Sequence, residues 1–278
     1  MSTNPPAIPL FHLGETSVLE AVHESKAATV YRGLRGEQSV ACKVYAADRS
    51  AKLDERVRRE CVMQADIEHP CLSPLIQWGE SPEGAAYAIS QWVDGRTLRA
   101  RLREGPMSWP ELRPIALDVA RALSAVHGAK TVHRDVKPSN IMICEGAEET
   151  RAVLLDFGHA LILDEIRLTD TGKVLGTPAY MAPEQALGGT LDGRADLYGL
   201  GAVMYEALTG ERVFSGASVA AILKQHTSHA VTPPRERAPA LDIPQAADDL
   251  VLWLLEKDPA DRVPNARVLF HALSAAPA

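Results

Sequence analysis

The chain has few cysteines and lacks the common ligand spacings of zinc sites. Four cysteines occur among 278 residues, and no two of them form a Cys-x-x-Cys pair. The nine histidines include no His-Glu-x-x-His sequence, so neither of these zinc-type patterns is present. Because scattered cysteines are typical of a reduced compartment, we expect a cytoplasmic protein.

The chain also lacks a basic excess and a long apolar run. Its 29 Lys and Arg residues are outnumbered by 36 Asp and Glu residues, which gives a formal charge of -7. This balance provides no positive field for nucleic acid or an anionic membrane, so we expect no nucleic-acid partner. Apolar runs such as residues 250–255 are far shorter than the roughly 20 residues that span a bilayer. Residues 1–9 have no basic region followed by an apolar core, so we predict neither a signal peptide nor a membrane segment.

Strand-like patterns dominate the first third of the chain. Residues 40–45 predict a strand, with Lys43 on one of its faces. Residues 52–67 instead repeat apolar side chains at steps of three and four, which predicts a helix. Glu60 lies on the inward stripe of that helix, where an unpaired carboxylate is costly. We therefore expect Glu60 to have a cationic partner.

The pattern becomes mainly helical in the rest of the chain. After a strand over residues 85–93, residues 94–95 read Asp-Gly, which indicates a turn and a hinge between two lobes. Ser108 and Glu111 have the spacing of a capping box, and Gly128 suits a helix C-terminus. The predicted helices cover residues 108–128, 195–208 (stopped by Gly210) and 246–256. This organisation predicts an α+β fold with a small β-rich lobe and a larger, mainly helical lobe.

Four ordered motifs carry the chemical signal. Residues 133–140 read His-Arg-Asp-Val-Lys-Pro-Ser-Asn, and residues 156–158 read Asp-Phe-Gly after an apolar run. Residues 40–43 read Val-Ala-Cys-Lys, and residues 176–184 read Gly-Thr-Pro-Ala-Tyr-Met-Ala-Pro-Glu. Taken in their order along the chain, the four motifs resemble those of the eukaryotic-type (Hanks-type) protein serine/threonine kinases, in particular bacterial members. The resemblance covers about residues 18–273. The resemblance implies a bilobal protein kinase fold and transfer of the γ-phosphate of ATP to Ser and Thr hydroxyls of proteins.

The resemblance assigns roles in phosphoryl transfer to five residues. Asp135 would accept the proton of the substrate hydroxyl, and Lys137 would lie near the transferred phosphate. Asn140 and Asp156 would bind Mg²⁺ (or Mn²⁺), a hard cation that prefers oxygen ligands. Thr177 resembles the threonine that contacts the catalytic Asp and Lys in serine/threonine kinases.

The resemblance also assigns a nucleotide site. Lys43 would bind the α- and β-phosphates of ATP and pair with Glu60. Ser90 would be a small gatekeeper, and residues 91–93 would present backbone groups to adenine. Val30, Ala41 and Met142 would surround the adenine, although they could equally be ordinary core residues. The full set comprises Val22, His23, Ser25, Ala28, Val30, Ala41, Lys43, Ser90, Gln91, Val93 and Met142.

Other residues are implied to support or regulate the site. Glu184 should form a structural ion pair with Arg262, and Asp196 should accept backbone N–H groups of the catalytic loop. Thr169 and Thr171 would be autophosphorylated, with Arg134 as a partner for the phosphate; the alternative is that they are unmodified loop residues.

The glycine-rich loop departs from the family pattern. Its three expected glycines fall on His23, Ser25 and Ala28. Either a hairpin still covers the nucleotide, with Ser25 and backbone amides as donors, or nucleotide binding is weak and the chain is a pseudokinase scaffold. Because Lys43, Glu60 and the motif residues are all present, the sequence favours an active kinase. The segment at 176–184 argues against a small-molecule kinase.

The resemblance also predicts how the chain is divided. A dimer of kinase domains is compatible with it, although no residue demonstrates one. The expected boundaries are a tail at 1–16, an N-lobe at 17–93, a C-lobe at 94–273 with a hinge at about 91–95 and an activation segment at 156–184, and a tail at 274–278.

Overall fold

The structure is a computed structural model that describes residues 10–25, 28–46, 67–144, 151–155 and 178–277. The chain divides into two compact units. The first comprises Met1–Asp66 and Ser73–Trp92, and the second comprises Ile67–Leu72 and Val93–Ala278. The helix predicted over residues 52–67 lies, except for its last residue, outside the described residues and stays a prediction.

The described part of the first unit is one antiparallel sheet. Its strands are β1 (Phe11–Leu13), β2 (Thr16–Glu24), β3 (Ala28–Arg35), β4 (Gln38–Tyr45), β5 (Leu75–Glu80) and β6 (Ala86–Gln91). They pair in the order β1-β2-β3-β4-β6-β5. Val18, Val40, Cys42 and Ile89 are fully buried and form the centre of its core. Strands β4 and β6 confirm the strands predicted near residues 40–45 and 85–93.

The second unit is mainly helical. Three short strands, β7 (Arg96–Thr97), β8 (Ile141–Cys144) and β9 (Arg151–Leu154), form a small antiparallel sheet. In the described part of the chain, no helix is both long enough and apolar enough to cross a membrane. The helices are α1 (Leu98–Leu102), α2 (Trp109–Gly128), α3 (Pro183–Ala186), α4 (Gly193–Thr209), α5 (Val219–Ser228), α6 (Pro234–Arg237), α7 (Gln245–Leu254) and α8 (Ala266–Ala275).

Helix α4 runs through the core of the second unit. Its residues 195–209 are all buried, so the helix packs on every side. Asp192 caps its start by accepting the N–H of Arg194 at 2.8 Å, and Gly210 ends it at a φ of 75°. A left-handed φ of this kind favours glycine, which has no Cβ to clash. The helix predicted over residues 195–208, with its stop at Gly210, is confirmed.

The ends of helix α2 differ from the sequence prediction. Ser108 is the N-cap residue, but its side chain makes no capping hydrogen bond within the described chain. Glu111 does not complete a capping box, because its carboxylate receives Arg101 Nη2 at 2.9 Å. Gly128 is the last helical residue, and the left-handed residue beyond it is Lys130, with a φ of 56°. The predicted position of this helix, with Gly128 at its C-terminus, is correct, whereas the predicted capping box is wrong.

The turn predicted at residues 94–95 depends on its glycine. Gly95 has a φ of 144°, and a Cβ at this position would lie 2.1 Å from the carbonyl oxygen of Ile143. Any other residue would therefore push the chain away from strand β8.

A buried ion pair holds the segment around α3 against α4. Arg262 Nη1 and Nη2 each lie 2.7 Å from an oxygen of Glu184, in a bidentate arrangement. The Arg262 guanidinium also donates to the carbonyl oxygens of Arg194, Glu256 and Lys257. Because every polar face of the guanidinium is satisfied, its complete burial is tolerated. The predicted structural ion pair is confirmed.

A buried histidine joins helix α5 to α4. His226 is fully buried, and its Nδ1 lies 2.8 Å from the hydroxyl of Tyr198. The Phe214 ring packs edge-on against the imidazole, with ring centres 5.0 Å apart. Burial, reinforced by the nearby Lys257 cation, lowers the pKa of His226 to about 4. The imidazole is therefore neutral at physiological pH.

We predict that lowering the pH from 7.5 to 5 reduces the free energy of unfolding by about 2 kcal/mol through His226 alone. The unfolded imidazole takes up its proton near pH 6.5, whereas the folded one resists protonation until about pH 4. The stabilisation is therefore present above pH 6.5 and is lost as the pH falls. Urea unfolding at the two pH values measures it.

The matched variants for this prediction are His226→Gln and His271→Gln. A Gln at residue 226 does not titrate and can still accept the Tyr198 hydroxyl, so the pH-dependent loss should shrink by about 2 kcal/mol. His271 is exposed, and its substitution should leave the loss unchanged. Equal losses in wild type and His226→Gln would contradict the prediction.

Candidate active site

The octapeptide at residues 133–140 lies in the second unit, after helix α2, and ends in a 3-10 turn over Pro138–Asn140. Three of the predicted catalytic side chains meet there. Asp135 Oδ2 lies 2.7 Å from Lys137 Nζ and 2.8 Å from Asn140 Nδ2. The same Asn140 nitrogen donates to the carbonyl oxygen of Asp135 at 2.9 Å. A carboxylate, an ammonium and an amide are therefore fixed in one loop.

The Asn140 amide has a defined orientation because its nitrogen donates twice to Asp135. Its Oδ1 is consequently the atom that could face a cation, and an amide oxygen is a suitable ligand for a hard divalent ion. The side chain is buried, so the orientation is held by its surroundings rather than by solvent.

His133 connects the octapeptide to the end of strand β9. Its Nδ1 accepts the N–H of Asp135 at 3.3 Å, and its Nε2 lies 3.0 Å from the carbonyl oxygen of Leu155. These partners indicate that Nδ1 is the acceptor and that Nε2 carries a proton. Leu155 also donates its N–H to the Asn140 carbonyl at 2.8 Å. Residue 155 is thus held from both sides, directly before the predicted metal ligand Asp156.

Asp196, in the first turn of α4, holds the start of the octapeptide. Its carboxylate accepts the N–H of His133 at 2.8 Å and the N–H of Arg134 at 2.6 Å. It also lies 2.8 Å from Nε2 of His127. Arg134 has a φ of 69°, which is uncommon for a residue with a side chain, and these bonds stabilise that conformation. The bracing role predicted for Asp196 matches this geometry.

In the first unit, Lys43 occupies the middle of strand β4. Its side chain is buried, and Nζ lies 5.5 Å from the centre of the Tyr45 ring. Backbone pairing sets Lys43 opposite Val30 on β3 and Ala88 on β6. Its predicted partner Glu60 is outside the described residues, so the Lys43–Glu60 pair stays a prediction.

The β2–β3 hairpin contains the positions where the family carries glycine. Ser25 closes it: the Ser25 hydroxyl donates to the Ala28 carbonyl at 2.8 Å and accepts the Ala28 N–H at 3.1 Å. The Ser25 N–H also donates to the Ala28 carbonyl at 3.0 Å. His23 pairs with Val30, and the side chains of residues 20–24, including Val22, are exposed. The Ser25 hydroxyl thus bonds Ala28 within the hairpin, and its role as a donor to the nucleotide stays a prediction.

The remaining predicted nucleotide residues lie on strands or directly after them. Ala41 on β4 pairs with Ser90 on β6. The Gln91 N–H donates to Pro74 O at 3.1 Å, and its carbonyl accepts the Ser73 hydroxyl at 3.1 Å. The N–H of Gln91 is therefore already used within the protein. In the second unit, Val93 begins the unit, and Met142 lies on β8 opposite Thr97 and Val153.

Comparison with known proteins decides the family. The family described as "Protein kinase domain" matches residues 18–273. This chain belongs to the protein kinase family. The α+β fold class predicted for it, with a small β-rich lobe and a larger helical lobe, is confirmed.

The kinase domain has bacterial relatives. It is 36% identical to serine/threonine-protein kinase pkn2 of Myxococcus xanthus over 95% of this chain and 32% of the relative. It is 36% identical to serine/threonine-protein kinase PknB of Mycobacterium leprae over 96% of this chain and 43% of the relative. It is 38% identical to PknB of Mycolicibacterium smegmatis over 84% of this chain and 38% of the relative. The chain thus spans 32–43% of the length of these relatives.

Several predicted site residues of the kinase domain lie outside the described residues: Glu60, Asp156, Thr169, Thr171 and Thr177. Their roles stay predictions. Sequence reasoning also missed two contributors that the structure describes. His127 packs so closely on Gly193 that a Cβ there would lie 2.5 Å from the imidazole, and Gln185 donates to the Arg134 carbonyl at 3.0 Å. Neither residue belongs to a motif, so only their three-dimensional contacts reveal them.

We predict that Asp196→Asn lowers the free energy of unfolding by about 2–3 kcal/mol, because an amide nitrogen would face N–H donors and leave them unsatisfied. Chemical denaturation measures the effect. The matched control is Asp192→Asn at the exposed cap of the same helix. Asn caps a helix as well as Asp does, so this change should cost less than about 1 kcal/mol. Equal costs for the two variants would contradict the role of Asp196.

Proposed function

We propose that this kinase domain transfers the γ-phosphate of ATP to serine and threonine hydroxyls of proteins, including threonines of its own activation segment. The observation that carries the proposal is the arrangement of Asp135, Lys137 and Asn140 in a loop braced by Asp196. The names of the relatives, all serine/threonine-protein kinases, support the same chemistry.

In this proposal each loop residue has one task. Asp135 aligns the attacking hydroxyl and accepts its proton, and Lys137, held 2.7 Å from that carboxylate, neutralises negative charge on the transferred phosphoryl group. Oδ1 of Asn140 and the carboxylate of Asp156 are suited to hold Mg²⁺ or Mn²⁺. The bound cation would neutralise charge on the nucleotide phosphates.

Residues of the first unit are proposed to hold the nucleotide. Lys43 would bind the α- and β-phosphates, with Glu60 as its counter-ion. Since the Gln91 N–H is used by Pro74, the hinge donor for adenine would have to come from Val93. The Gln91 carbonyl can still accept a second hydrogen bond, because a carbonyl oxygen has two lone pairs.

The alternative is a pseudokinase scaffold, motivated by the missing loop glycines at residues 23, 25 and 28. The hydrogen bonds between Ser25 and Ala28 weaken this alternative, because they join β2 to β3 although neither residue is the glycine of the family pattern. A small-molecule kinase remains disfavoured by the sequence at residues 176–184.

The decisive experiment compares wild type with Asp135→Asn in a radiolabelled ATP assay with Mg²⁺ and a generic basic protein as acceptor. We predict that the variant loses transfer by about 100-fold or more, because the proton acceptor is gone. Mass spectrometry of the wild-type reaction should place phosphate on Thr169 or Thr171. Asp192→Asn, on an exposed cap, is the control and should retain activity.

The outcomes separate the hypotheses. A wild-type protein that binds ATP but transfers nothing would be a pseudokinase. Equal activity of wild type and Asp135→Asn would overturn the assignment of Asp135. Transfer to protein with unmodified Thr169 and Thr171 would leave the kinase intact and overturn only the autophosphorylation.

A second prediction concerns the glycine-poor hairpin. Ser25→Ala removes the hydroxyl that closes the turn, so we expect KM for ATP to rise about fivefold while kcat changes little, as for the loss of one hydrogen bond of about 1 kcal/mol. Steady-state kinetics at varied ATP measure the change. Ser17→Ala, at the other end of β2, is the control and should leave KM unchanged. An unchanged KM in Ser25→Ala would contradict a role for the closed turn.

A further inference from the structure

A half-buried lysine outside the active site lies among aromatic rings. Lys257 follows helix α7, and its Nζ is 4.6 Å from the centre of the Phe214 ring and 5.7 Å from that of Tyr198. Nζ also donates to the Tyr198 hydroxyl at 3.5 Å. The hydroxyl in turn meets Nδ1 of His226, which is neutral. Lys257 Nζ therefore contacts uncharged groups at the Phe214 ring and at Tyr198.

The charges around Lys257 disfavour its protonated form. Arg262 lies 4.9 Å from the same Tyr198 ring and donates to the Lys257 carbonyl. Glu184 is the counter-ion of Arg262, and both of its carboxylate oxygens accept hydrogen bonds from that guanidinium. Among the described residues, no carboxylate oxygen lies within 4.0 Å of Lys257 Nζ. Glu256, the residue before Lys257, is exposed and affects the Lys257 amine only at longer range.

Burial, and next the Arg262 cation, lower the pKa of the Lys257 amine to about 8, against the opposing effect of Glu256. At pH 7.5 roughly a quarter of such an amine is neutral, compared with about 0.1% of an ordinary lysine. A weaker base is a weaker nucleophile, which offsets part of this gain, so a net advantage of about tenfold in reaction rate is expected.

We propose that Lys257 is a site of N-acylation by small activated acyl donors, namely acyl phosphates or acyl thioesters. The neutral Nζ attacks the acyl carbon and forms a C–N bond, while the C–O or C–S bond breaks. Phosphate or thiolate leaves with the electron pair, and the amine proton passes to water. The product is an uncharged amide beside Phe214 and Tyr198.

The test requires neither ATP nor kinase activity, so it is independent of the proposed function. The folded protein is treated separately with acetyl phosphate and with acetyl-CoA from pH 6.5 to 9.5, and acetylation of each lysine is quantified by mass spectrometry. At pH 7.5 Lys257 should react about tenfold faster than the exposed Lys130 and Lys224. Its rate should level off just above pH 8, and its advantage should vanish in urea.

A matched pair of variants tests the electrostatic origin. Glu256→Gln removes a charge that raises the pKa of Lys257, so acetylation at pH 7.5 should become up to about twofold faster. Glu236→Gln, an exposed carboxylate on helix α6, should not change the rate. Reaction with only one donor identifies the acyl class that the site accepts. Reaction with neither, or a Lys257 rate no faster than that of Lys224, would overturn the proposal.

Discussion

The octapeptide at residues 133–140 of this kinase domain depends on one buried carboxylate. Asp196 accepts two consecutive backbone N–H groups of the loop and contacts His127, so its charge is compensated although it is almost completely shielded from water. It lies in the first turn of α4, where the helix dipole also favours a negative charge. Apart from a short 3-10 turn, the octapeptide has no regular structure, and its position therefore follows from its attachment to this rigid helix.

The same helix also fixes the segment at residues 178–184. Near its C-terminal end, Glu206 pairs with Arg99 at 2.8 Å and accepts the hydroxyl of Tyr180. Near its start, the Arg194 carbonyl accepts Arg262, which binds Glu184. Residues 180 and 184 are thus tied to the two ends of α4. The loop with Asp135 and the segment at 178–184 are both attached to α4, so a displacement of this helix would disturb both.

Local patterns predicted much of this arrangement. The ordered motifs identified Asp135, Lys137 and Asn140, and the helix at 195–208 with its Gly210 stop followed from periodicity and one glycine. The capping box at Ser108 failed because Glu111 pairs with Arg101, a residue from another helix. The contact of His127 with Asp196 joins residues 69 positions apart, and no local pattern encodes such a bond. Residues that lie outside the motifs and act through distant partners, such as His127, are therefore the ones that the sequence does not reveal.

The energetic cost of the site residues bears on whether the domain is an enzyme or a scaffold. Lys43 is buried within a β-sheet, where an apolar side chain would pack without the desolvation cost of an ammonium group. Asn140 is buried as well and has its amide nitrogen committed to Asp135, which orients the oxygen that a metal would need. A scaffold gains nothing from these costly features, whereas the proposed phosphoryl transfer would use each of them. In the hairpin, Ser25 bonds Ala28 across the two strands although both positions carry glycine in the family pattern. The energetic cost of burying Lys43 and Asn140 therefore favours an active kinase over a pseudokinase scaffold.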